Sequence, residues 1–90
     1  MKEQKSLEQA IVGLKSEKEV TEFLRDLLTS RELKEFRNRW VAAQQLAEGV
    51  PYTQIEKDTG LSSTTIARVS KWLRDGAGGY RNALGMDQEG

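Results

Sequence analysis

Apolar residues recur every three or four positions along most of the chain, and a single proline, Pro51, interrupts this pattern. Because that spacing places side chains on one face of an α-helix, it predicts a chain built from amphipathic helices. The β-branched residues never alternate with polar ones for long enough to indicate a strand. The predicted fold class is therefore all-α.

Three helices are predicted before the proline. Their apolar faces are Leu7, Ala10, Ile11 and Leu14; Val20, Phe23, Leu24, Leu27 and Leu28; and Leu33, Phe36, Trp40, Ala43 and Ala47. Ser6, Ser16 and the pair Thr29-Ser30 are the predicted N-caps, since short hydroxyl side chains accept hydrogen bonds from the first turn. Gly49 is the predicted stop of the third helix. Trp40, on the third of these faces, is predicted to be core.

The composition limits the classes of function. The chain has 90 residues, which is one domain, and so short a chain buries only a modest share of its surface. A lone monomer would be marginally stable, so we expect a dimer. The absence of Cys and His removes thiolate chemistry, the commonest general base and the commonest metal ligand. We therefore expect no enzyme and no metal or bound cofactor.

The net charge and the N-terminal residues indicate which partners and which cellular compartment to expect. The 14 basic and 14 acidic residues cancel, so no long-range basic field points to nucleic acid or to an anionic membrane. No apolar run approaches the roughly 20 residues that span a bilayer, and the first residues lack the apolar region of a signal peptide. A cytoplasmic protein without membrane association is expected.

Residues 52–73 have the layout of a helix-turn-helix, two short predicted helices that meet at a turn containing Gly60. Gly60 provides the residue that tolerates a positive φ. The apolar residues placed to hold the two helices together are Ile55, Leu61, Ile66 and Val69. Two positions depart from the usual pattern, with Glu56 where many such motifs have Ala, and Thr59 where an apolar residue is usual.

The second helix of this pair has a polar outer face. The predicted DNA-binding residues are Thr53, Ser62, Ser63, Thr64, Thr65, Arg68 and Lys71. Hydroxyls and free N–H groups at a helix N-terminus can donate to phosphates or base edges, and Arg68 and Lys71 lie one and two turns further along. Residues 52–74 contain four basic and two acidic side chains, so positive charge is concentrated here. On this pattern alone, DNA binding and an ordinary helical pair both stay open.

Two stretches resemble the Trp repressor family, and in particular its small Trp-repressor-like members in Gram-positive bacteria. They are Leu27-Leu28-Thr29-Ser30 and the run from Gly60 to Ser70, GLSSTTIARVS, within a similarity that extends from about Leu24 to Leu84. The resemblance implies a Trp-repressor-like helical bundle that forms an intertwined homodimer. In a single domain 1–90, helices at about 6–48 would form the core and the dimer contacts. The helix-turn-helix at about 52–74 would face double-stranded DNA, and a short segment 76–90 with a glycine-rich hinge would follow.

The resemblance also implies a candidate effector pocket at Arg39, Arg68, Val69 and Trp72. In tryptophan-responsive members, two arginines sandwich the indole ring of the bound amino acid, and Arg39 and Arg68 match those positions. The family has Gly at the position of Val69 and a small hydroxyl residue at the position of Trp72. Because both changes add bulk, we expect that L-tryptophan is not the corepressor or binds far more weakly than in those members.

Together these observations predict a sequence-specific DNA-binding transcriptional regulator, in particular a repressor, that binds operator DNA as a dimer. The alternative is a protein-interaction adaptor that has kept the fold without DNA binding. The net charge of zero and Glu56 favour the adaptor, whereas the polar face with Arg68 and Lys71 favours DNA binding.

Overall fold

The computed structural model describes residues 3–86, and within that range it has six α-helices and no strand. The helices are α1 (Leu7–Val12), α2 (Glu17–Leu27), α3 (Ser30–Ala47), α4 (Tyr52–Thr59), α5 (Ser63–Asp75) and α6 (Gly79–Leu84). The all-α prediction is confirmed. The end of the predicted C-terminal segment, residues 87–90, lies outside the described residues. The chain divides into two compact units, Met1–Leu33 and Lys34–Gly90.

Hydroxyl caps fix the starts of α1 and α2. The Gln9 N–H donates to Ser6 Oγ at 3.0 Å, and the Ser6 N–H donates to Gln9 Oε1 at 2.8 Å, which is a reciprocal capping box. The Glu19 N–H donates to Ser16 Oγ at 3.1 Å. Both predicted N-caps are confirmed, and each satisfies a backbone donor that the helix itself leaves unpaired.

The long helix α3 is capped at both ends. Its N-cap is Thr29, whose Oγ1 accepts from the Glu32 N–H at 3.1 Å, while the Thr29 N–H donates to Glu32 Oε1 at 2.9 Å. At its other end Gly49 has a φ of +83°, and the Val50 N–H donates to the Gln45 carbonyl at 3.0 Å. This is a Schellman motif, which confirms the predicted stop at Gly49 and turns the chain toward α4.

The core of the second unit joins α3, α4 and α5. Ala42 of α3, Ile55 of α4 and Ile66 of α5 are fully buried in one cluster. Three partly buried apolar residues pack against that cluster: Leu46, Val50 and Leu61. Because one residue from each helix meets in it, this cluster fixes the helix-turn-helix on the end of α3.

For the single chain, the predicted apolar face of α3 is confirmed at Leu33 and Ala43 and is wrong at Phe36, Trp40 and Ala47. The side chains of Phe36 and Trp40 are 49% and 37% exposed, and Ala47 is exposed too. Ala42 and Ala43 are the fully buried residues there. The spacing of apolar residues on a helix shows that it has an apolar face but does not show which part of it the same chain covers.

None of the helices within residues 3–86 is both long and apolar enough to cross a bilayer.

Candidate nucleic-acid interface

The turn between α4 and α5 depends on Gly60. This residue has a φ of +75° and a ψ of 4°, in the left-handed region, and its N–H donates to the Glu56 carbonyl at 2.8 Å. A side chain is disfavoured in that conformation, so the prediction that the turn requires glycine at this position is confirmed.

Thr59 fits the turn although the motif usually has an apolar residue there. Its side chain is buried, its hydroxyl donates to the Ile55 carbonyl at 2.7 Å, and the same oxygen accepts from the Leu61 N–H at 3.1 Å. Because both hydrogen bonds are made inside the chain, burying this hydroxyl leaves no polar group unpaired. Thr59 therefore also fixes the position of Leu61, through the hydrogen bond from the Leu61 N–H.

The start of α5 places hydroxyl and amide groups at the surface. Ser62 Oγ accepts from the Thr65 N–H and donates to Thr65 Oγ1, both at 3.1 Å, so the Ser62 hydroxyl is used as the helix cap. The exposed residues Ser63 and Thr64 form the first two helical positions, whose N–H groups have no partner within a helix. Thr53 is exposed in the first turn of α4.

The helix α5 has one buried and one exposed face, as its pattern predicts. Ile66, Val69 and Leu73 are buried. The exposed face carries Thr64, Ala67, Arg68 and Lys71. The two cations are therefore available to an anionic partner, while the apolar residues anchor the helix from behind.

An aspartate connects the helix-turn-helix to α3. Asp58 Oδ2 accepts from Gln45 Nε2 at 2.8 Å, and Asp58 Oδ1 accepts from Gln54 Nε2 at 2.9 Å. These two hydrogen bonds hold the pKa of the Asp58 carboxyl below its ordinary value of 3.8, and the bond from Gln45 has the larger effect. Sequence reasoning missed this contact. The spacing of Gln54 and Asp58 on one helix was a usable signal, but Gln45 lies 13 residues away.

The four candidate effector residues lie in different surroundings. Arg39 forms an ion pair with Glu35, one turn earlier on α3. Val69 is 1% exposed and belongs to the core. Arg68 and Trp72 are exposed on α5. Of the three candidate effector residues on α5, only Val69 is therefore buried.

A cavity of about 560 Å³ opens between the end of α5 and the start of α6. Its walls include the aromatic rings of Trp72 and Tyr80 and the charged side chains Lys71 and Asp75, with Gly79 among the glycines beside them. Sequence reasoning interpreted the glycines only as a hinge. The two aromatic residues on either side of the glycine-rich run were the signal that could have pointed to a cavity.

The family described as Trp repressor protein matches residues 2–88, nearly the whole chain. The chain belongs to the Trp repressor family. The resemblance found in the sequence is thus confirmed, and this is a family of regulators rather than of enzymes.

Individual members of the Trp repressor family are similar over most of their length. The uncharacterized protein YerC of Bacillus subtilis (strain 168) is 38% identical over 88 residues, which cover 98% of this chain and 85% of YerC. The crystal structure of a TrpR-like protein from Eubacterium eligens ATCC 27750 matches with a TM-score of 0.83 and 35% identity. That match covers 89% of this chain and 82% of the other.

Proposed function

We propose that the chain is a transcription regulator, in particular a repressor, that binds operator DNA as a homodimer through α5. The observation that most supports the proposal is that α5 has a buried apolar face and an exposed cationic face. Its inner face is locked into the core by Ile66, Val69 and Leu73, while Arg68 and Lys71 lie exposed on the opposite side. A rigid helix with a cationic, small-residue outer face is suited to the major groove.

The start of α5 supports the same use. The exposed Ser63 and Thr64 bring hydroxyls and unpaired N–H groups together at the positive end of the helix dipole. Such groups bind phosphate and orient a recognition helix on the duplex. Of the predicted DNA contacts, Ser62 would act through its position as the cap, since its hydroxyl is already bonded within the helix.

Exposed apolar side chains on α3 support a homodimer. Phe36, Trp40 and Val41 are each at least 37% exposed in the single chain. Apolar side chains grouped in this way on a small protein mark a contact surface. A twofold dimer would present two α5 helices to half-sites about 34 Å apart on a roughly palindromic operator.

The direct test is the selection of bound fragments from genomic DNA, followed by titration of the recovered sequence at several salt concentrations. We expect that affinity falls with salt, and that Arg68→Ala and Lys71→Ala each reduce the slope of log affinity against log salt by about one. Lys18→Ala, which removes the same charge from the exposed surface of α2, is the matched control and should leave the slope unchanged.

The adaptor remains the second candidate, favoured by the net charge of zero. If no fragment is enriched, the adaptor becomes the better explanation. If fragments are enriched but both α5 variants bind DNA as the parent does, α5 is not the recognition helix.

A further inference from the structure

Glu56, on the first helix of the helix-turn-helix, differs from the other acidic residues. Within residues 3–86 every other Asp and Glu is exposed, whereas Glu56 is partly buried. In the same range its carboxylate forms no hydrogen bond and no ion pair. Burying part of a carboxylate without giving it a partner costs free energy. The described part of the chain therefore contains a hydrogen-bond acceptor that has lost water and gained no partner.

The helix α4 places Glu56 on the side away from α3. Asp58 accepts a hydrogen bond from Gln45 of α3, so the side of α4 that carries Asp58 faces that helix. Successive residues of an α-helix are about 100° apart, which puts Glu56 about 200° from Asp58 around the helix axis. The carboxylate of Glu56 therefore leaves α4 on the flank opposite α3.

The helix α5 is the other element packed against α4, across the turn at Gly60. Ile55, the residue before Glu56, meets Ile66 of α5 in the core. The exposed face of α5 carries Arg68 and Lys71, and within residues 3–86 neither forms an ion pair with Glu56. Two cationic donors and one carboxylate acceptor of the helix-turn-helix are thus all available to a third molecule.

The chemistry of the major groove limits what a carboxylate can bind there. A phosphate repels it, so the only partners are hydrogen-bond donors on base edges. Guanine presents two acceptors in this groove, thymine presents an acceptor and a methyl group, and adenine presents its amine beside an acceptor. Cytosine presents its N4 amine without an acceptor on the same base, so it is the base that a carboxylate fits best.

We propose that Glu56 is a specificity-determining residue whose carboxylate accepts a hydrogen bond from the N4 amine of one cytosine in each half-site of the operator. This inference rests on the proposed function and names one base that the helix-turn-helix selects. On any other sequence the carboxylate stays unpaired near the phosphates, so mismatched DNA is rejected. Glu56 thus lowers the affinity for DNA in general and raises the discrimination between sequences.

The first test is the selection of bound sequences from a random duplex pool by the parent chain and by Glu56→Gln. We expect one cytosine in each half-site of the parent's sequences, and other bases at that position with the variant, since an amide both donates and accepts. Changing that cytosine to thymine should weaken binding by the parent about ten- to hundredfold and binding by the variant less than about threefold.

A matched control removes the same charge elsewhere. Glu48, between α3 and α4, is exposed, and Glu48→Gln should select the same cytosine as the parent does. Binding to a random-sequence duplex gives a second comparison. Glu56→Gln should bind it several-fold more tightly than the parent, because a negative charge near the phosphates has been removed.

The second test uses the protein alone and separates this role from a structural one. Glu56→Gln should unfold at the same urea concentration as the parent or at a higher one, since a neutral amide costs less to bury than an unpaired carboxylate. A carboxylate that stabilised the fold would give a lower urea midpoint for the variant. Both chains are compared at one fixed protein concentration.

The outcomes distinguish this inference from the proposed function. If Glu56→Gln keeps the parent's discrimination, alters a position that is not a cytosine, or lowers the urea midpoint, the assignment of Glu56 is overturned while the recovered operator still supports DNA binding. If the parent recovers no sequence at all, the DNA-binding proposal fails and the assignment of Glu56 fails with it.

Discussion

At the scale of single residues, Asp58 shows how one carboxylate can tie two helices together. Its two oxygens each accept an amide N–H, one from α3 and one from α4. Both bonds favour the charged form of the carboxylate, which is why its pKa is lowered. The contact that positions the helix-turn-helix is thus linked to the protonation of one side chain.

This linkage predicts how stability depends on pH. Because the folded pKa of Asp58 lies below the ordinary value of 3.8, the unfolded chain binds more protons in this range. The stabilisation by Asp58 is complete above that ordinary value and is lost as the pH falls through the folded pKa. We expect Asp58→Asn to lower the unfolding temperature at neutral pH and to flatten the loss of stability in acid. Asp26→Asn on α2 is the control, and parallel pH profiles for parent and Asp58→Asn would contradict the prediction.

A second prediction at this scale concerns L-tryptophan. By the family resemblance, Val69 stands at the position of the glycine in the tryptophan-responsive members, and its side chain is buried in the core. Overfilling a packed site typically costs about 1–3 kcal/mol, which is roughly ten- to hundredfold in affinity. We expect L-tryptophan to bind far more weakly than in those members. A saturable heat signal at micromolar L-tryptophan, together with tryptophan-dependent DNA binding, would show that the pocket survives.

At the scale of helices and turns, the capping residues in the sequence were sufficient to predict where helices begin and end. Ser6, Ser16 and Thr29 each cap the helix that follows, and Gly49 and Gly60 each end one. These features depend on residues within four or five positions of one another, so they can be read directly from the sequence. The helix-turn-helix was predictable for this reason.

The turn gives a prediction for this scale. Gly60→Ala should destabilise the protein by about 1–2 kcal/mol, because a Cβ is disfavoured in the left-handed region. Gly79→Ala is the matched control, since Gly79 begins α6 and its Cβ would lie in open space, so its stability should stay equal or rise slightly. Urea unfolding at one fixed protein concentration provides the measurement. Equal shifts in the two variants would show that the positive φ at Gly60 is not what stabilises the turn.

At the scale of the whole molecule, the exposed aromatic residues of α3 predict a homodimer. Sedimentation should give twice the chain mass of 10.2 kDa at micromolar concentration. Phe36→Asp and Trp40→Asp should shift the protein toward monomer, because each would place a charge in an apolar contact. Lys34→Asp, an exposed residue of the same helix, should not. A folded parent that sediments at 10.2 kDa would rule the dimer out.

The sequence by itself determined the helices, their caps, the helix-turn-helix and the family, because each depends on residues close together in the chain or on a continuous motif. Only the tertiary structure decided that Phe36 and Trp40 stay exposed in one chain while Ala42 is buried. It also decided that Asp58 accepts a hydrogen bond from Gln45, and that Trp72 and Tyr80 line one open groove. The physical reason is that periodicity shows which residues share a face, whereas burial and contact depend on which other segment packs against that face.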